Sequence, residues 1–144
     1  MEDTKKITVL LVEPDKYPKV IEIEDSLEAM QELVGGDIEE YMPFNDDVAL
    51  VCNGDGKMSG MPLNRAIYAE NDSPEKGQSR EIVDIIAGKF FIAHAPLGSE
   101  NFKSLPKEFI NKYKQKFKYP EHFLMINNKI AAVPFKPKTK VTER

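Results

Sequence analysis

Residues 7–24 read ITVLLVEPDKYPKVIEIE: an apolar β-prone run and an alternating one, separated by a stretch holding two prolines and an aspartate. That punctuation reverses the chain, so the pair reads as an antiparallel hairpin with Ile21 and Ile23 inward and Glu22 and Glu24 in water. The same pattern recurs. DIEEYMPF (37–44) and VALVC (48–52), separated by NDD, give a second hairpin, in which Pro43 places the first strand at an edge or bulge. An exposed edge there could pair with a second copy, although the sequence does not set an oligomeric state. FLMINNKIAAVPF closes the chain as a third hairpin, turning at Asn127 and Asn128, since Asn tolerates positive φ.

Two helices interrupt the strands. Asp25 is placed to cap the first, over about 26–34, with Glu28 completing a capping box and Leu27, Met30, Leu33 and Val34 on one face. Gly35 and Gly36 end it. Ser104 is placed to cap the second, over about 105–117, whose apolar stripe is Phe109, Ile110, Tyr113 and Phe117. Between them, RAIY (65–68) fits one helical turn, 69–80 a long polar loop, EIVDIIAG (81–88) a short helix or turn, and KFFIAHA (89–95) a strand. The expectation is one α+β domain over 1–135, a mostly antiparallel sheet built from hairpins, followed by a basic tail over 136–144.

Length fits one domain. At 144 residues a globule buries roughly 68% of its unfolded surface. The composition, 41% hydrophobic without tryptophan, is that of a folded chain, and the longest apolar runs are too short to cross a bilayer. The N-terminal residues lack the pattern of a signal peptide, so the expected location is the cytoplasm. Cys52, the single cysteine, reads as a buried thiol, and His94 and His122 have no cluster with which to hold zinc. No metal or cofactor is expected. Neither histidine stands in a setting that supplies a catalytic base, and no catalytic residue is nominated.

The net charge of −4 conceals a division: residues 1–102 hold 9 basic and 21 acidic side chains, residues 103–144 hold 11 and 3. A split of this kind bears on partners rather than fold. The C-terminal lysines alternate with aromatics, but at helical spacing the aromatics form the buried stripe, which disfavours direct nucleic-acid binding.

The loop NGDGKMSGMPLNR (53–65) fails each phosphate or calcium motif it suggests. Met58 follows Gly56-Lys57 where a P-loop needs Ser or Thr, Lys57 stands at an EF-hand ligand position, and Ser59 breaks a dinucleotide fingerprint. What it retains is amide-rich turn backbone beside Arg65, whose planar fork matches phosphate or carboxylate. Asn53, Asn64, Arg65 and Lys89 are accordingly the candidate contacts to an anionic small molecule.

LEAMQELVGGDIEEYMPF, ALVCNGDGKMSGMPLNRAIY, DIIAGKFFIAHAP and NFKSLPKEFINKYKQKFKYPEHF, in this order, resemble a domain-of-unknown-function family of bacteriophages and integrative elements, often encoded near antirestriction genes. The likeness runs from about Ile7 to Phe135, and CNGDG departs from the acidic pair that the family carries ahead of the glycine. The resemblance implies a phage or mobile-element accessory protein acting against host defence inside a bacterial cell. It would sequester a nucleotide-derived signal or cover the surface of a host defence protein, for which the acidic face with Glu39, Glu40, Asp46 and Asp47 is the candidate contact; hydrolysis of a nucleotide signal is the remaining alternative.

Overall fold

The computed structural model describes residues 5–69 and 81–137. Among the described residues nine strands and two helices follow one another: β1 (Lys6–Val12), β2 (Lys19–Glu24), α1 (Leu27–Val34), β3 (Ile38–Tyr41), β4 (Val48–Asn53), β5 (Leu63–Tyr68), β6 (Ile82–Ala87), β7 (Phe90–His94), α2 (Lys107–Lys116), β8 (Glu121–Ile126) and β9 (Lys129–Pro134). Five strands make an antiparallel sheet in the order β2-β1-β7-β4-β3, while β5–β6 and β8–β9 are separate two-stranded sheets. This is the α+β architecture built from hairpins that the sequence implies.

The sheet is buried on both faces. Every residue of β4 is buried, as an interior strand covered on each side must be. On one face Val9, Ala49, Val51 and Phe91 pack against Met30 and Val34 of α1. On the other, Leu10, Val12, Val48, Leu50, Phe90 and Ile92 pack against Tyr113 and Phe117 at α2, and against Ile67 and Ile86 of the β5–β6 hairpin. Ile21 and Ile23 face the α1 side half-buried, with Glu22 and Glu24 in solvent.

Several local expectations shift. The N-cap of α1 is Ser26, whose hydroxyl accepts from the Ala29 amide; Asp25 instead donates its own amide to the Lys5 carbonyl, prolonging the first hairpin. Leu27 is exposed, so the apolar face of α1 is Met30 and Val34 with Leu33 beside them. Gly35 closes the helix at φ 85°, where glycine carries no Cβ penalty. Ser104 does not cap α2: its Oγ accepts from the Thr8 amide, and Pro106 stands at the N-cap. A residue preceding proline is held extended, so the helix begins only after Pro106.

The larger correction concerns 65–68 and 81–88, which are strands paired to one another as β5 and β6. Ile82, Val83, Ile85 and Ile86 are β-branched and lose little in an extended chain. Most of the expected long loop (70–80) and of the tail (138–144) lies outside the described residues.

Asp46, between β3 and β4, is fastened to α2. It accepts from Lys112 Nζ at 2.6 Å and from the Tyr113 hydroxyl at 2.7 Å, and these two bonds lower its carboxyl pKa. A lowered carboxylate stabilises the fold fully above its unfolded value and loses that contribution as pH falls through the folded one. Asp46→Asn is therefore expected to cost about 1 kcal/mol at neutral pH, with the gap to wild type closing below about pH 4. Thermal melts at pH 7 and pH 3 check this; an unchanged gap at both would sink it.

Candidate functional site

Residues 53–65 leave β4, cross the end of the main sheet and enter β5. The loop's backbone is used internally. The amides of Gly54, Asp55, Gly56, Ser59, Gly60 and Met61 donate to Asp37 O, Asn53 Oδ1, Asn53 O, Asp55 O, Lys57 O and Gly56 O respectively. An anion-binding nest of these amides is therefore not what the loop presents. Gly56 is required by close approach, since a Cβ there would stand 2.8 Å from the Ala87 carbonyl oxygen, a backbone atom that cannot yield.

Arg65 turns inward. It is 1% exposed, and its guanidinium donates to protein oxygens throughout. Nε and Nη2 reach Phe117 O at 3.1 and 2.9 Å, Nη2 also reaches Lys16 O at 2.8 Å, and Nη1 reaches Asn64 Oδ1 at 2.8 Å and Glu13 O at 3.4 Å. One side chain on β5 thereby ties the end of α2 to the β1–β2 connection. Burial pulls the guanidinium down to about 10, opposed by the charges of Glu121 and Asp15, so it keeps its proton at neutral pH.

Asn64 is spent in the same way. Its Nδ2 donates to Val12 O at 3.0 Å and Gly88 O at 2.8 Å, while its Oδ1 receives Arg65. Asn53 donates Nδ2 to Val34 O at 3.2 Å and accepts from the Asp55 amide, locking the end of α1 to β4. Lys89 is half-exposed and stands 3.8 Å from Glu13, a carboxylate that Lys16 and Lys19 also approach. The structure thus gathers Asn64, Arg65 and Lys89 around the end of β1, with Asn53 apart from them beneath α1. The side-chain donors of Arg65 and the asparagines meet protein oxygens, mostly backbone carbonyls left over at strand and helix ends, while Arg65 also borders one concave surface and Asn53 another.

Two concave surfaces lie nearby. The larger, about 1260 Å³, is an open cleft between the β5–β6 and β8–β9 hairpins and the end of α2. Its lining mixes apolar side chains such as Val83, Ile130 and Phe117 with Lys57, Asp84, Lys118 and Lys129. At its base Glu121 accepts from the Ala66 amide at 2.8 Å and meets the Tyr68 hydroxyl at 3.4 Å, which fixes β8 to β5. The smaller, about 260 Å³, lies between the loop and β6 and is lined by Glu39, Tyr41, Cys52, Asn53, Lys57 and Asp84 among others. Lys57 is paired with Asp84 at 2.7 Å. Burial pushes the Cys52 thiol up to about 11, so it carries no thiolate reactivity at neutral pH.

Val83 and Asp84 were not legible as site residues, because a short helix or turn over 81–88 does not set them along a strand opposite β5; the β-branched run was the available signal. Among the described residues no group of three His, Cys, Asp or Glu side chains is placed to hold a metal, and no helix is long and apolar enough to cross a membrane.

Residues 7–118 match the model of a domain of unknown function, DUF3846. The chain belongs to that family. The DUF3846 stretch takes in the five-stranded sheet, both helices and the β5–β6 hairpin, and it ends one residue after the Phe117 carbonyl that Arg65 holds. The β8–β9 hairpin lies beyond it. No curated protein and no solved structure matches the chain.

Proposed function

We propose that this is a non-catalytic binding protein that engages a protein partner stoichiometrically through the cleft between β5–β6 and β8–β9. The observation that carries the reading is the cleft itself: at about 1260 Å³ and open along its length, it exceeds the roughly 300–1,000 Å³ of small-molecule pockets. Its walls combine exposed apolar surface, including Val83, with charges of both signs, as a protein-binding groove requires.

A nucleotide-derived or other anionic small molecule fits less well. The fork of Arg65 and the six loop amides named above already have acceptors, and the smaller pocket sets the carboxylates Glu39 and Asp84 against one cation, Lys57, itself paired with Asp84. The setting implied by the phage and mobile-element resemblance, the bacterial cytoplasm, makes a host defence protein the partner of choice.

The test is affinity capture from bacterial lysate with three proteins. Wild type and a Glu39→Gln, Glu40→Gln, Asp47→Asn variant of the acidic edge are expected to recover the same partner, whereas Val83→Arg loses it at least tenfold. Val83 is half exposed, so the change spares the core. Equal recovery by Val83→Arg, or loss with the acidic-edge variant alone, would transfer the function away from the cleft. A thermal shift of several degrees with cyclic or ADP-ribose-type nucleotides would restore the small-molecule reading.

A further inference from the structure

Every strand edge at the margin of a sheet invites pairing with another chain, and proteins blunt such edges with charge or proline. Most edges here are blunted. β2 presents Lys19, Glu22 and Glu24, β3 presents Glu39 and Glu40, β6 carries Asp84, and β9 carries Lys129 and ends at Pro134. β5 turns its one charge, Arg65, inward, but Glu121 of β8 meets its edge at the Ala66 amide, which leaves β8 as the exception among the described strands. After Glu121 it continues His122-Phe123-Leu124-Met125-Ile126 without a formal charge or a proline, in a chain that is 31% charged.

The surface around this edge is apolar and open. Leu124 (49%), Met125 (70%), Ile126 (51%), Ile130 (46%) and Val133 (42%) are all exposed on a single hairpin. Its fastening to the body is at the base, through the bonds of Glu121 to the Ala66 amide and the Tyr68 hydroxyl. A two-stranded hairpin is marginal in water and needs a third strand or a packed face. Of β8, Glu121 alone lines the cleft, so the rest of the strand is not engaged there.

The geometry points to a second copy of this chain as the occupant of the β8 edge, two hairpins joining about a two-fold axis into a four-stranded sheet. Antiparallel neighbours share a face, so a self-pair centred on Leu124 sets Leu124 opposite its counterpart and Phe123 opposite Met125 of the other copy. Leu124 and the Phe123–Met125 pairs meet as apolar contacts, His122 falls opposite Ile126, and no like charges face each other. The same symmetry applied to β3 would set Glu39 and Glu40 near their own counterparts, so the Pro43 edge is the poorer route to a homo-oligomer. The contact is confined to one hairpin, short of the about 20–30 residues a side of a standard interface, so the dimer is weak. The pairing edge is that of β8, whereas the hairpin lines the cleft through β9 and Glu121, so the two occupants use different strands.

Sedimentation equilibrium of the full chain over a range from micromolar to several hundred micromolar tests this directly. Wild type is expected to dimerise, and Leu124→Asp, which brings two carboxylates together at the axis, to raise Kd at least tenfold without altering the circular dichroism spectrum. Leu124→Cys should give a disulfide-linked dimer on oxidation, whereas Leu27→Cys, on the exposed side of α1, should not. A wild type that stays monomeric throughout, a dimer indifferent to Leu124→Asp, or equal cross-linking at Leu27 would each overturn the inference.

Discussion

Arg65→Ala is expected to lower the free energy of unfolding by about 3–5 kcal/mol, a large share of the roughly 5–15 kcal/mol available to a domain. The cost is not that of one contact. Removing the guanidinium strands Phe117 O, Lys16 O, Glu13 O and Asn64 Oδ1 in places that water reaches poorly, and a buried acceptor left without a donor costs about 1–3 kcal/mol. Arg65→Lys should recover little, because one ammonium cannot reproduce a planar fork directed at three segments. Urea titrations followed by circular dichroism measure the loss. A cost below about 1 kcal/mol would mean that the guanidinium is solvated and free for a ligand after all. The cycle with Asn64→Ala should be strongly non-additive, since the two side chains share a 2.8 Å bond.

Phe90→Ala carries a cost of similar size by a different route. Phe90 is fully buried at the start of β7, paired with Val12 on one side and Cys52 on the other, and its ring stands 5.3 Å from that of Phe117 in an edge-to-face arrangement. Truncation removes the transfer energy of the ring and leaves a hollow between sheet and α2, about 3–5 kcal/mol in all. Phe117 also supplies the carbonyl that Arg65 grips, so relaxation into the hollow disturbs that grip. The double variant with Arg65→Ala should therefore be less destabilised than the separate costs predict. Strict additivity would show that the ring and the guanidinium act independently.

The hairpins were legible because they depend on local evidence: alternation in KVIEIE, proline and aspartate between runs, the Asn127-Asn128 turn with both residues at positive φ. The stripe of α2 was legible for the same reason. RAIY and EIVDIIAG were not, since each is only a few residues long and its partner lies across a polar stretch, so pairing rather than period decides their state. Arg65 shows the deeper limit. Its planar fork reads as a match for phosphate or carboxylate, but nearly all the acceptors it meets are backbone carbonyls. Every residue has one, so no residue letter announces them, and the direction of the side chain follows from the meeting of segments some fifty positions apart.

The strand order β2-β1-β7-β4-β3 has a bearing on how the chain is made. The two hairpins at its flanks are complete by residue 53, yet the strand that joins them comes at Phe90–His94. As the polypeptide leaves the ribosome, it holds two unjoined half-sheets for the time needed to add some forty residues, roughly 2–8 seconds at common elongation rates. β1 and β4 each wait through that interval with an apolar edge open. Assembly of the sheet is a single late closure around β7, and it is in that interval that a chaperone would find the nascent protein.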